Sequence, residues 1–497
     1  MSSSDEARHR WRRAAGLLAL AVLFAAGVKT TLARALPELG WPDEWIYLTL
    51  ARNIAERGSL NTNFYISSSI EAVGYPHRDV HLPGYALVLA AAGRSQGYTL
   101  DTAIRVNVAM FAVSVACAFL IARRFLSLPR SLLAAALVVI LPPYPGYLAI
   151  AYPEHVTAAA TLALVAAAAW FESRAAILAL GFCLGVSLLF RETTLFLVPL
   201  LAVLIGTGKA ARWLLPGLAL ALVTVLPPLS THRAVHPNAL YPSAVTEALK
   251  QPDPVSSLLS TVTANARINL GLLISSNPFE RAEDAVLLFI LALALTALVV
   301  AFRKDLATLP LIRGALASTA LLFAAMVVIY VVRERGGVWG GVRALMPMAP
   351  LFVIGLCGVR VAGAVAGAIL VPGLALCLFL SSWQIAFFNR YKSVNLEDQD
   401  RAASFIEQRT KRFAPRRIVG GRYFQYAYRN YPAEVVWSGA DDIGTLDRLY
   451  PKFAFDFVVI HRRSPMRFDL RKDPRYEWIN ADEGQAAEYQ IYRRVAP

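Results

Sequence analysis

The sequence predicts an all-α polytopic membrane bundle of about eleven transmembrane helices, with interfacial helices in its first outer loop, and then a small C-terminal α/β soluble domain. Three observations carry that reading. Of 497 residues, 57% are hydrophobic and only 17% charged, with mean hydropathy +0.49, a balance that soluble globular chains rarely reach. Apolar runs such as Ala14 to Val28 recur along the chain, where a porin strand would supply only about ten alternating residues. The composition then changes near residue 390: the last 108 residues hold 35 charged side chains, against 48 in the preceding 389. Residues 1–389 therefore read as the membrane module and 390–497 as an extracytoplasmic domain.

The 49 Lys and Arg exceed the 34 Asp and Glu, for a net charge of +15. In a membrane protein this excess belongs to short cytoplasmic loops, and no stretch interleaves stacking aromatics with a basic groove, so nucleic acid is excluded as a partner. Cys117, Cys183, Cys357 and Cys377 lie inside apolar segments without CxxC or Cys/His spacing. They read as small buried hydrophobes.

The basic N-terminus leads into an apolar run that resembles a signal-peptide core, with Ala33-Arg34-Ala35 as a cleavage site. The alternative, a first span with its basic end in the cytoplasm, accommodates Lys29 and Arg34 as snorkelling cations and sets the orientation. The expected spans are 14–36, 100–122, 131–149, 156–171, 175–190, 193–207, 213–229, 285–302, 314–331, 344–359 and 361–382. Each connection then assigned to the cytoplasm carries a cation, from Arg123, Arg124 and Arg130 through Arg174, Lys209 and Arg303 to Arg360. The N-terminus is cytoplasmic and the C-terminal domain periplasmic on this count, in an inner membrane.

Three outer segments are long: 37–99, 230–284 and the tail. Pro42 to Arg57 places Trp45, Ile46, Leu48, Leu50 and Ile54 at three- and four-residue spacing, which predicts an amphipathic interfacial helix. Leu82 to Gly93 is too short for a ~30 Å hydrocarbon layer and predicts a second one. In the tail the pattern predicts a helix over 396–412, strands at 417–420 and 434–437, a helix over 441–450, a strand at 455–461 and a last strand at 488–493. No GxGxxG or P-loop appears, so no nucleotide is assigned.

Gly40-Trp41-Pro42-Asp43-Glu44-Trp45-Ile46-Tyr47 puts adjacent carboxylates at a helix start just outside the first span. Ordinary capping explains such a pair, at roughly 0.3–1 kcal/mol; chemistry is the other explanation. Further on, Tyr75-Pro76-His77-Arg78-Asp79-Val80-His81-Leu82-Pro83-Gly84-Tyr85 leads into the second interfacial helix. His77 and His81 either hydrogen-bond a polar substrate or brace the loop; without HExxH and with Pro83 beside them they make a poor metal pair. Tyr152-Pro153-Glu154-His155 sets an acid at the mouth of a span, where a carboxylate is costly unless it faces a cavity or a partner. Arg191, Arg333 and Arg343 occupy outer turns. Arg suits phosphate, and loop charge or internal pairing is the plain alternative for each.

Together these residues resemble the GT-C superfamily of lipid-linked-sugar glycosyltransferases, which includes protein O-mannosyltransferases and the aminoarabinose transferases of lipid A. The resemblance rests on Asp43-Glu44 with Tyr47 and Ala51-Arg52-Asn53-Ile54, on His81-Leu82-Pro83-Gly84-Tyr85, on Glu154, on Gly185 to Pro199 with Arg191, and on Gly341-Val342-Arg343-Ala344-Leu345-Met346-Pro347. It extends to the plan of many spans, a large first outer loop and an outer C-terminal domain. The aminoarabinose transferases carry Lys-Pro-Pro where this chain has His81-Leu82-Pro83. The resemblance implies transfer from a polyprenyl-phosphate sugar to an envelope lipid, glycan or protein, by single displacement with inversion. Asp43 would be the base, Glu44 and Glu154 would orient acceptor or sugar, Tyr47, His77, His81 and Tyr85 would bind substrate, and Arg191, Arg333 and Arg343 would take the phosphate. No cofactor is required, and room remains for a divalent cation. Two rivals share parts of the pattern: a lipid or solute transporter, which would show paired broken helices and mid-span acids that this chain lacks, and an envelope scaffold, which leaves the acidic loop idle.

Overall fold

The computed structural model describes residues 3–67, 70–71, 74–76, 81–224, 251–257, 259–260, 263, 282–303, 306–329, 342–360, 363–413, 417–438, 443–462, 470–483 and 488–495. Its contacts divide the chain into two compact units. One comprises 1–37, 104–227 and 238–389; the other comprises 38–103, 228–237 and 390–497. The sequence alone groups 37–99 with the membrane module, whereas this segment folds with the tail. Most of the expected outer loop 230–284 lies outside the described residues.

The first unit is helical. Among the described residues four helices have the length and hydropathy for a membrane crossing: Arg13–Arg34, Leu100–Phe125, Ala282–Val300 and Gly367–Phe413. Shorter apolar helices cover Leu128–Ile140, Glu154–Trp170, Arg174–Ser187, Glu192–Ile205 and Leu309–Ala325. Proline explains several of the interruptions. The run expected over 131–149 stops at Ile140 before Pro142 and Pro143 and resumes as a single turn, Tyr144–Tyr147. Pro199 and Pro350 likewise sit in the first turns of Val198–Ile205 and Ala349–Cys357, so the span expected at 193–207 begins as a tighter turn and the one expected at 344–359 is broken by a turn at 346–348. The reverse happens after residue 363. The span expected to end at 382 and the helix expected at 396 form one helix, Gly363–Thr410, because no Gly or Pro follows Gly373 until Pro415.

Small residues let helices in this unit approach closely. A Cβ at Gly181 would lie 2.1 Å from the Leu214 carbonyl oxygen, and one at Gly217 would lie 2.1 Å from that of Leu178. Such backbone contact is how helices associate where lipid removes the hydrophobic drive. The cysteines behave unevenly: Cys117 and Cys377 are buried and Cys357 is half-buried, while Cys183 is exposed, contrary to its expected burial, because it lies on the outward side of the Arg174–Ser187 helix.

The second unit is built on a six-stranded sheet: β1 (Phe64–Ile66), β2 (Arg417–Gly420), β3 (Glu434–Trp437), β4 (Phe457–His461), β5 (Tyr476–Trp478) and β6 (Tyr489–Arg494). The spatial order is β1-β3-β2-β4-β6-β5, parallel from β1 to β4 and antiparallel through β6 and β5. Side chains alternate between two cores, as the two-residue period of a strand requires. Val419, Val436, Val458 and Tyr492 join Leu446, Leu449 and Phe453 on one face. Ile418, Val435, Phe457, Val459 and Ile491 join Ala402, Ala403 and Ile406 on the other. Both faces are covered, which explains the continuous apolar runs of these strands.

β1 comes from the segment between the first two long apolar helices, with Phe64 opposite Val435 and Ile66 opposite Trp437. The Asn63 amide donates to the Ala433 carbonyl at 3.0 Å. The Tyr75 hydroxyl donates to Glu434 at 2.6 Å and accepts from Arg417 at 3.0 Å. Burial, the bond to Glu434 and that carboxylate's charge push the Tyr75 hydroxyl up to about 12, against the opposing charge of Arg417.

Candidate active site

The Pro42–Arg57 helix has the bounds the sequence predicts. Pro42 opens it with φ already set, and Gly58 at φ 62° ends it in the left-handed region. Its first turn treats the two acids differently. Glu44 is fully buried, and its Oε2 accepts the backbone N–H groups of Gly40 at 2.8 Å and Trp41 at 2.9 Å. Its Oε1 lies 3.1 Å from the Lys392 ammonium, itself 2% exposed. Lys392 also donates to the Glu38 carbonyl at 2.9 Å. The capping explanation therefore describes Glu44.

Asp43 keeps 31% of its side chain exposed and sits 3.6 Å from Nε2 of His81. Tyr47 meets the His81 ring edge-on at 4.8 Å and the ring of Tyr85 at 5.2 Å. Pro83 opens the helix Pro83–Gln96, which places Tyr85 in its first turn and His81 just before it. Asp43, Tyr47, His81 and Tyr85 are thus brought together. His77 lies outside the described residues.

In the first unit, Glu154 begins the Glu154–Trp170 helix with its side chain fully buried. Its Oε1 accepts from Arg191 Nη2 at 2.6 Å and from Arg343 Nε at 2.5 Å. The side chains of Arg191 and Arg343 remain 16% and 19% exposed. Arg343 lies over the Tyr152 ring at 4.5 Å, and Nε of Arg191 has no hydrogen-bond partner among the described residues. Two guanidiniums held on one carboxylate present planar donors of the kind that suit an oxyanion. Arg333 lies outside the described residues.

Sequence reasoning missed a second buried carboxylate here. Glu283 accepts from the Tyr147 hydroxyl at 3.2 Å and the Gln384 amide at 2.7 Å, within the electrostatic reach of Arg343 and Glu154. Glu283 and the equally buried Asp284 stand immediately before an apolar run. That is the same signal that singled out Glu154, and it would have found them. Lys392 gave no such signal, because a lone lysine in a charged stretch reads as solvated. Among the described residues no three His, Cys, Asp or Glu side chains gather as metal ligands.

No protein-family model matches the sequence, and no curated protein matches it. Solved structures do match. The crystal structure of ArnT from Cupriavidus metallidurans bound to undecaprenyl phosphate aligns with TM-score 0.58 at 12% identity, over 97% of this chain and 98% of that one. The same protein in the apo state aligns with TM-score 0.57 at 12% identity, with the same coverage. The Archaeoglobus fulgidus oligosaccharyltransferase tethered with an acceptor peptide aligns with TM-score 0.51 at 10% identity, over 89% of this chain and 69% of that one. The chain therefore shares its fold with ArnT and with the archaeal oligosaccharyltransferase.

Proposed function

We propose that the protein is an integral membrane glycosyltransferase that moves a sugar from a polyprenyl-phosphate donor to an envelope acceptor at the outer face of the inner membrane. Its N-terminus would be cytoplasmic and its C-terminal domain periplasmic. The observation that carries this reading is the convergence of Arg191 and Arg343 on Glu154, which brings two guanidiniums from distant parts of the sequence to the end of an apolar helix. Solved structures of the same fold support it: ArnT was solved with undecaprenyl phosphate, and an archaeal oligosaccharyltransferase with a dolichol-phosphate and an inhibitory peptide at TM-score 0.50.

In the proposed reaction the acceptor hydroxyl oxygen bonds to the anomeric carbon as the bond from that carbon to the phosphate oxygen breaks. The configuration inverts. The hydroxyl proton passes to the Asp43 carboxylate, and the phosphate leaves with its charge. Arg191 and Arg343 supply the positive charge this needs, as preorganised donors do where charge develops. Tyr47, His81 and Tyr85 line the acid and hold the sugar or acceptor. Glu154 orients the two arginines.

Native mass spectrometry of the protein purified gently from its own membranes tests the donor. The expected spectrum contains a bound polyprenyl phosphate or its glycosylated form. If it contains only bulk phospholipid, and added undecaprenyl phosphate leaves Tm unchanged, the reading fails.

A further inference from the structure

We propose that Lys392, contributed by the C-terminal segment, is a positioning residue that sets the direction of Asp43; the inference rests on the function proposed above. The Glu44 carboxylate receives Lys392 on one oxygen and two backbone N–H groups on the other. Those N–H groups belong to Gly40 and Trp41, so the carboxylate ties the turn that precedes the helix to the helix itself. Lys392 in turn grips the Glu38 carbonyl, so one ammonium spans the entry to that turn and its first acid. There is no slack: a Cβ on Gly40 would fall 2.5 Å from Cα of Lys392. Trp41 stacks on Tyr391 at 4.0 Å, next to Lys392, and fastens the same turn from a second side.

Asp43 lies between Trp41 and Glu44 in the chain, two residues after the one and next to the other. Its backbone is held through its neighbour Glu44, and its side chain is the acid that remains partly exposed, beside His81. Farther along the helix, Trp45 stacks on Phe424 and Asn53 accepts from the Tyr431 hydroxyl at 2.8 Å. The tail thus holds the whole acid-bearing helix, with Lys392 at the end where direction matters. A misplacement of about 1 Å at a reacting group can cost ~100-fold in rate.

The test compares Lys392→Met with the double variant Glu44→Gln/Lys392→Met, which removes both charges and leaves no unpaired buried ion. Two readouts are taken on the full-length protein in detergent: amide hydrogen exchange over residues 40–48, and kcat and KM for sugar transfer from undecaprenyl-phosphate-linked sugar extracted from the same membranes. The double variant is expected to melt near the wild-type temperature, to exchange faster at 40–48 alone, and to lose ~100-fold in kcat with KM changed less than ~3-fold. Wild-type exchange at 40–48, or wild-type kcat in a folded double variant, overturns the proposal. Faster exchange spread evenly over the soluble unit overturns it too, since it makes the pair a general stabiliser. If wild-type protein transfers no sugar, the functional reading fails, and the exchange measurement still decides whether Lys392 holds the turn.

Discussion

Arg191 and Arg343 both donate to one oxygen of Glu154. On the function proposed, the same two guanidiniums also bind the donor phosphate. Replacing either arginine by Lys keeps the charge but loses the planar fork. Arg343→Lys also removes the guanidinium from the Tyr152 ring. Each variant is expected to weaken undecaprenyl phosphate binding about 10- to 100-fold, the loss of one charged hydrogen bond of roughly 1.5–3 kcal/mol, read by titration in detergent.

Glu154→Ala leaves both guanidiniums without their common carboxylate. Removing one member of a buried ion cluster costs about 3–5 kcal/mol. Its Tm is expected to fall well below that of either Arg→Lys variant, and saturating undecaprenyl phosphate should restore part of the loss; a scanning melt with and without the lipid reads both.

Asp43→Asn removes the proposed base with almost no change of shape. Because Asp43 is partly exposed, Tm is expected to stay near that of the wild type while kcat falls by about 10²- to 10⁴-fold. A folded variant with wild-type turnover would remove Asp43 from that role.

The Tyr75 hydroxyl ties its segment to the sheet through Glu434 and Arg417. Its folded pKa is raised to about 12 from an ordinary 10.0. Its contribution is therefore complete below about pH 10 and declines as pH rises toward 12, because the unfolded chain loses the proton first. Tyr75→Phe is expected to cost about 1 kcal/mol at neutral pH and to flatten the alkaline fall in Tm.

Gly181→Ala would place a methyl group 2.1 Å from the Leu214 carbonyl oxygen. Overpacking of this kind costs about 1–3 kcal/mol. A lower Tm is the expected outcome, and Gly208→Ala, whose Cβ meets nothing within 4 Å, is the control.

Much of the second unit can be read directly from the sequence. Arg417–Gly420 and Glu434–Trp437 have the predicted bounds, because each is a short apolar run closed by turn residues. Pro42–Arg57 is equally legible, from its proline, its first-turn acids and Gly58. β1 and β5 were not, since each has three residues and is recruited by a neighbouring strand rather than by its own pattern. Nor could the sequence divide Asp43 from Glu44. Their environments depend on Lys392 and on the Gly40 turn, which meet only when the helix of the loop docks on the helix of the tail. The sequence assigns Asp43, Tyr47, His81 and Tyr85 to one site and marks Glu154 as an acid that needs a cavity or a partner, but nothing in it names the two arginines as that partner.

β1 also sets a timetable. Asn63 leaves the ribosome 370 residues before the Ala433 carbonyl that it will bind. At about 5–20 residues per second, translation keeps that donor waiting roughly 20–70 seconds. Through that interval the acid-bearing loop has no sheet to join and no lysine to close its turn, so a nascent or truncated chain carries every residue of the loop in an unassembled form. Catalytic competence, on the function proposed, arrives only as the last strands are made.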